Sequence, residues 1–410
     1  MTLRLIQALS LFLLAACGAA PSSSAAQTDE QPFAISPVAT FNSPWALAFL
    51  PGTTQAIVTE KPGRLWLVDV RTGAKQAVAG APKVVLSSQG GLLDVVLSPR
   101  FSADKLVYLT YAEPSANGGS GLALARGTLV QDGANARIDG LKRLWHDPAG
   151  GEGGQFGAIV AFAPDGQSLF LSSGERQRFT PAQSASQPIG KILHLTLDGG
   201  PAPGNPWAGR VGASTITVTD PPENTEAAKS APGRPFNWPG PNLTPAETWT
   251  LGHRNPYGLA FDSQGRLWAS EMGPRGGDEL NLILPGRNYG WPLVSEGENY
   301  DGVPIAKPST RPDLQQAKLW WVPSISPTSL LIYTGDLFPR WKGSGFIGTL
   351  TGEGLIRVTF EGERARKAEQ WAMPRPRIRF VAQGPNGAIY LLEDGERGRL
   401  LRLTPAQARR

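Results

Sequence analysis

Cysteine is almost absent from this chain of 410 residues: Cys17 is the only one. No internal disulfide can form, and the cysteine spacing of a zinc site does not exist. Histidine is nearly as scarce. His146, His194 and His253 offer neither metal spacing nor a nucleophile–base arrangement, and "KILHLTL" reads as a strand whose His194 is a satisfied structural residue. The net charge of +5 is spread along the chain without a run of five or six Lys or Arg, which argues for solubility and against a nucleic-acid footprint. Walker loop, dinucleotide fingerprint and nucleophile elbow are also missing, which argues against nucleotide cofactors such as NAD. No long segment carries a helical period. What is plentiful is glycine (49), proline (37), tryptophan (12) and a 40% hydrophobic content, the composition of a folded chain with a sizeable core.

The N-terminus, "MTLRLIQALSLFLLAACGAAPSSSAA", has an early Arg4, an apolar run through Leu14 and a small-residue end. That is the pattern of an export signal rather than a membrane span, and residues 1–16 are set apart from the fold. "LAAC" resembles a bacterial lipobox, which implies that Cys17 is lipidated and anchors the mature protein to a membrane. Gly18, where an Asp would retain such a protein at the inner membrane, implies the periplasmic face of the outer membrane. Residues 17–32 read as a flexible tether.

From Phe33 to the C-terminus one pattern recurs: a small or apolar strand, a turn, and a second apolar strand. It appears as "WALAFLPGTTQAIVTE", "GLLDVVLSPRFSADKLVYLTY", "FGAIVAFAPDGQSLFLSSG", "YGLAFDSQGRLWASE", "TSLLIYTGDLFPRWKGSGFIGTL" and "RFVAQGPNGAIYLLED". The class is all-β, and six hairpin copies predict a six-bladed β-propeller, since radial repetition buries faces a lone hairpin leaves open. Their unequal spacing also suits a sandwich. Residues 204–246, rich in Pro and Gly, read as an inserted surface loop.

Three motifs could carry chemistry. In "EMGPRGGDELNLILPGRNYGWP", glycines free backbone carbonyls to converge while Asp278 and Glu279 add hard anionic oxygen, the donor type Ca²⁺ prefers; the same pattern also suits an ordinary acidic turn. In "RPRIRF", Arg377 and Arg379 share one strand face and could grip carboxylates or phosphates; a solvated edge strand is the plainer reading. In "GHRNPYGLAF", Arg254 and Asn255 precede a strand and could meet a ligand at a channel mouth.

In this order, "SQGGLLDVVLSPRF", "GHRNPYGLAF", "EMGPRGGDELNLILPGRNYGWP", "EGENYDG" and "RPRIRF" resemble the soluble glucose/sorbosone (aldose sugar) dehydrogenase family. The resemblance implies a six-bladed propeller that binds pyrroloquinoline quinone and Ca²⁺, oxidises the anomeric hydroxyl of an aldose to a lactone and passes electrons to an external acceptor. Carried over by position, Gln89, Arg254, Asn255, Tyr300, Arg377 and Arg379 are implied cofactor contacts. Carbonyls of Gly273 and Pro274 are implied to hold the Ca²⁺ that bridges to the cofactor, and Glu279 and Tyr289 a second, structural Ca²⁺.

Two positions depart from the family pattern. Gln155 in "GGEGGQFGAIVAF" stands where the catalytic histidine base is expected, and a carboxamide has no useful basicity near neutral pH. Thr351 in "GTLTGE" stands where a lysine to the quinone is expected. Two functional classes therefore remain: a quinone-dependent dehydrogenase using water or another group as base, with Glu152 and Glu175 the nearest carboxylates in sequence, or a catalytically silent propeller that keeps a ligand or partner site.

Overall fold

The computed structural model of the protein describes residues 31–116, 118–219, 232–352 and 354–406. Cys17, the expected export segment before it and all but the end of the expected tether lie outside the described residues. The fold is all-β. Each repeated segment forms an antiparallel pair: Pro44–Phe49 with Gln55–Glu60, Leu92–Leu97 with Leu106–Pro114, and Gly157–Phe162 with Ser168–Ser173. The series continues with Pro256–Phe261 and Leu267–Glu271, Pro327–Ile332 and Gly345–Thr349, and Ile378–Gln383 and Ile389–Glu393. Two further strands extend every pair into a four-stranded unit, and two neighbouring units merge through a parallel contact of Lys75–Ala79 with Asn135–His146. The last unit takes its outer strand from the other end of the chain. Phe33–Phe41 pairs with Gly398–Pro405, so a hydrogen-bonded ladder fastens the two ends of the fold together.

The first strands of successive units pack on one another, and Ile378–Gln383 packs back on Pro44–Phe49, closing a ring. Every ring strand has a register shift near its start. A bulge removes ladder partners from backbone groups that burial does not allow to stay unpaired. Small hydroxyl residues on the second strands repair this. Thr59 Oγ1 accepts from Ala46 N at 3.0 Å and donates to Leu93 O of the next ring strand at 2.7 Å. Thr110 repeats the pattern with Asp94 N (2.9 Å) and Ala158 O (2.7 Å), and Ser172 with Ile159 N and Pro256 O (both 2.9 Å). Ser270 donates to Thr328 O at 2.8 Å, and Thr328, which stands on the next ring strand itself, donates onward to Ile378 O at 3.0 Å. The polar residue inside "IVTE", "YLTY", "FLSS" and "WASE" is thus a bridge between neighbouring units.

Asp94 adds a carboxylate to the same ring. Its oxygens accept from Val95 N and Val160 N, each at 2.9 Å, and burial pushes the carboxyl up to about 7.

The 204–246 segment differs from the expectation of a plain surface loop. Thr215–Thr219 and Gly233–Asn237 form an antiparallel pair whose Ile216 and Val218, with Phe236 and Trp238, pack on Ala149. "STITVT" has strand alternation, but the surrounding Pro and Gly residues mask it.

Two expectations follow for stability. Thr110→Val keeps the shape but leaves Asp94 N and Ala158 O unpaired in the interior, so denaturant titration should show a loss of about 2 kcal/mol or more. Because Asp94 binds its proton more tightly folded than unfolded, its stabilisation is complete below about pH 4 and lost as pH rises through about 7. Unfolding free energies of wild type and Asp94→Asn, measured from pH 4 to 8, should therefore diverge in slope, with the wild type falling more steeply.

Candidate active site

All ring strands start at the same end of the channel, so residues at or just before their starts converge there. Several turn into the strand through left-handed backbone: Ser88, Gln155 and Ser326 have φ of 52°, 55° and 49°. The Gln155 carbonyl passes so close to Gly174 that a Cβ there would lie 2.0 Å from its oxygen, which only glycine permits.

The result is a cavity of about 270 Å³. Gln89, Gln155, Arg254, Asn255 and Tyr300 line it, as do Gly273, Pro274, Thr351, Arg377 and Arg379. Glu279 and Tyr289 lie in a small adjoining cleft that shares Arg254, Gly273 and Pro274 with the cavity. Motifs up to some 290 positions apart, from Gln89 to Arg379, thus meet in one place. Trp45, Lys61 and Tyr257 also line the cavity. Trp45 and Tyr257 stand in quoted motifs but read as strand residues, and Lys61 lies in a turn outside every motif. Trp45 and Tyr257 meet edge to face at 5.9 Å, giving the wall a rigid aromatic corner.

The arginines are fixed before any ligand arrives. Arg377 Nη2 donates to Asp394 Oδ2 at 2.6 Å, and Arg379 Nη2 donates to Asp394 Oδ1 at 2.7 Å. Burial disfavours the Asp394 charge, but Arg379 and Arg377 outweigh it and hold the carboxyl below its ordinary value. Asp394 was not singled out in the sequence, although "LLED" places it where a second strand ends beside the arginines. Arg254 Nη1 donates to Gly273 O at 2.5 Å, and its buried Nε has no partner among the described residues. The Arg254 and Asn255 backbone nitrogens both donate to Glu271 Oε1, while Glu271 Oε2 meets His253 Nδ1 at 2.8 Å. His253 is fully buried, stacks on Tyr289 and contacts Thr250 through Nε2 at 2.9 Å. It supports the Arg254 loop and does not enter the cavity. His194 is held between Asn205 and Ser168, as its strand reading implies.

Gln155 is buried at the cavity wall between Glu175 and Arg254. Oriented to satisfy both, its amide nitrogen donates to Glu175 Oε1 and its oxygen accepts from Arg254 Nη2 at 2.9 Å. Its backbone nitrogen donates to Gln89 Oε1 at 3.0 Å, and the same oxygen accepts from Tyr257 Oη at 2.9 Å. Glu175 is 1% exposed and stands behind Gln155 rather than in the cavity. Burial raises its carboxyl, opposed by Arg254 and by backbone N–H donors of Phe179 and Arg178. Glu152 is exposed and outside the cavity lining. Neither carboxylate is placed to touch a ligand directly.

The metal motif divides into different roles. Asp278 accepts from Gly273 N at 2.8 Å and from Ser324 Oγ, Ile325 N and Ser326 N at 2.7–2.8 Å, so it ties loops together. Burial, then Glu271, pushes the Glu279 carboxyl up to about 8, with Glu296 and Asp278 adding to the effect. Beside it, Asn281 Oδ1 is buried without a partner among the described residues. The Tyr289 hydroxyl accepts from Leu284 N and donates to Leu282 O, which leaves its carbonyl as the group it could offer an ion. This all-oxygen surrounding fits a hard cation. Among the described residues no group of three or more His, Cys, Asp or Glu side chains is arranged to hold a metal, so carbonyls would have to supply most ligands.

The glucose/sorbosone dehydrogenase family model matches residues 41–218 and 225–402. The aldose sugar dehydrogenase YliI of Escherichia coli is 32% identical over 367 residues, covering 88% of this chain and 90% of that protein. A crystal structure of a glucose dehydrogenase superposes with a TM-score of 0.79 at 37% identity, over 91% of this chain and all 100% of the other. The PQQ-bound aldose sugar dehydrogenase of Streptomyces coelicolor superposes with a TM-score of 0.66 at 27% identity, over 91% and 98% of the two chains. These likenesses support a coarse oxidoreductase function, and the chain belongs to the glucose/sorbosone dehydrogenase family.

Proposed function

We propose that the chain is a six-bladed propeller dehydrogenase that uses pyrroloquinoline quinone and Ca²⁺ to oxidise the anomeric hydroxyl of aldose sugars to lactones. Counting the eight-stranded sheet as two blades gives six. The observation that carries the reading is the convergence of Arg254, Arg377, Arg379, Gln89 and Asn255 on one cavity with an aromatic corner, a wall suited to a planar polycarboxylate. When bound, the quinone supplies a two-electron acceptor and Ca²⁺ a Lewis acid beside it. Gly273 and Pro274 would hold the ion at the cavity, and Glu279 and Tyr289 a second ion in the adjoining cleft.

The chain's own residues then do the following. Arg377 and Arg379, aligned by Asp394, bind carboxylates without having to be ordered first. Arg254, its backbone held by Glu271, directs positive charge at the place where negative charge develops. Trp45 and Tyr257 keep water from one side. Gln155 turns its nitrogen to Glu175 and its oxygen toward Arg254, so it can accept a hydrogen bond from a sugar hydroxyl but cannot take the proton. The proton leaves to water, and turnover is slow. Electrons pass to an external acceptor, and the Cys17 lipid anchor holds the protein on the periplasmic face of the outer membrane.

The silent-propeller reading keeps one observation in its favour: no histidine or carboxylate lines the cavity among the described residues. One experiment separates the two. Purified protein is titrated with the quinone and Ca²⁺ and assayed with several aldoses and an artificial acceptor. Micromolar binding with slow turnover is expected, and Gln155→His should raise kcat by roughly 10²–10⁴-fold. Binding with no turnover selects the silent propeller; absence of quinone binding sinks the dehydrogenase. Removal of Ca²⁺ by a chelator should lower the melting temperature, and added Ca²⁺ should restore it; an unchanged melting curve argues against the structural ion.

A further inference from the structure

Lys61 belongs to none of the motifs above, yet its side chain forms part of the cavity wall. Its backbone is clamped between the first two ring strands: its N–H donates to Ser43 O and its carbonyl accepts from Leu92 N, both at 2.9 Å. The side chain is therefore held at the mouth, where both strands begin. Its Nζ reaches Ser88 O at 3.3 Å, a long contact for a charged donor, and has no carboxylate partner among the described residues. The other cations of the wall have close hydrogen-bond acceptors. Arg377 and Arg379 share Asp394, and Arg254 is taken up by Gly273 O and Gln155. Burial, then Arg379, pulls the Lys61 ammonium below its ordinary value, with Asp394 opposing, so the group faces an already cationic neighbourhood. Thr351 brings no charge, and its hydroxyl is turned to Ser324 O at 3.2 Å and Ser326 Oγ at 2.9 Å.

A half-buried ammonium with unused donors beside other cations is unfavourable unless an anion joins it. We propose that Lys61 is an anion-binding residue of the cavity, donating to a carboxylate of its ligand and supplying the positive charge that Thr351 does not. The inference rests on the cavity being the site of a polycarboxylate cofactor, and its test uses two probes so that the two ideas can fail separately.

Dissociation constants for pyrroloquinoline quinone and for benzene-1,3,5-tricarboxylate, both with Ca²⁺ present, are measured by calorimetry on the full chain in detergent. Wild type is compared with Lys61→Met, Lys61→Gln, Lys61→Arg and the double variant Lys61→Met/Thr351→Lys, each checked for a cooperative melt. Two neutral replacements keep the comparison alive if one of them does not fold. The neutral variants should bind about tenfold or more weakly, in line with loss of a charge-assisted hydrogen bond. Lys61→Arg should stay within about threefold, and Thr351→Lys should recover most of the loss in the double variant. Folded neutral variants that bind both probes like wild type overturn the proposal. If wild type takes the tricarboxylate but not the quinone, the cofactor reading fails while the variants still decide the role of Lys61 on the probe that binds. If wild type takes neither, both fall.

Discussion

The structure depends on how its ring strands are joined where each one bulges. A bulge near the start of a strand exposes an amide to an interior without water, and at Ala46, Asp94 and Ile159 a threonine or serine from the second strand accepts from it. The same hydroxyl donates to the next ring strand. One small side chain thereby satisfies two backbone groups and fixes the spacing between neighbouring units. The bulge also turns the strand entrance inward. Without that turn, Gln89, Gln155, Asn255 and Arg379 would not meet in one cavity. The ladder between Phe33–Phe41 and Gly398–Pro405 completes the closure by tying the last unit to the first strand of the described fold.

Within that frame the cavity is an exercise in holding like charges together. Asp394 aligns two arginines, Glu271 sets the Arg254 and Asn255 amides, and Asp278 gathers Gly273 with the Ser324–Ser326 loop. Each carboxylate sits behind the wall, so the charge left facing the cavity is positive. Gln155 joins this arrangement as a neutral spacer between Glu175 and Arg254. A histidine at that place would sit between a carboxylate and the cavity, able to exchange a proton, whereas a glutamine can only orient a hydroxyl there.

Much of the fold was legible because strand alternation and turn residues are local properties. All six repeated segments proved to be the first two strands of four-stranded units. The implied contacts at Gln89, Arg254, Asn255, Tyr300, Arg377 and Arg379 lie in one cavity, since each belongs to a motif tied to a strand entrance or loop. Other features were hidden. The hairpin inside 204–246 was masked by prolines and glycines, and the hydrogen bonds by which Asp278 ties two loops together join residues far apart in sequence. Glu175 was near Gln155 in sequence, but only its burial shows that it stands behind the glutamine.

By itself the sequence determined the all-β class, the repeating hairpin and the family likeness, because each is written in short stretches of residues. Tertiary structure alone decided which charges compensate one another. Asp394 with Arg377 and Arg379, Glu271 with the Arg254 backbone, and Lys61 with its long contact to Ser88 are relations between separate strands and loops. Electrostatic pairing depends on distance and burial in space, and neither can be read from spacing along the chain.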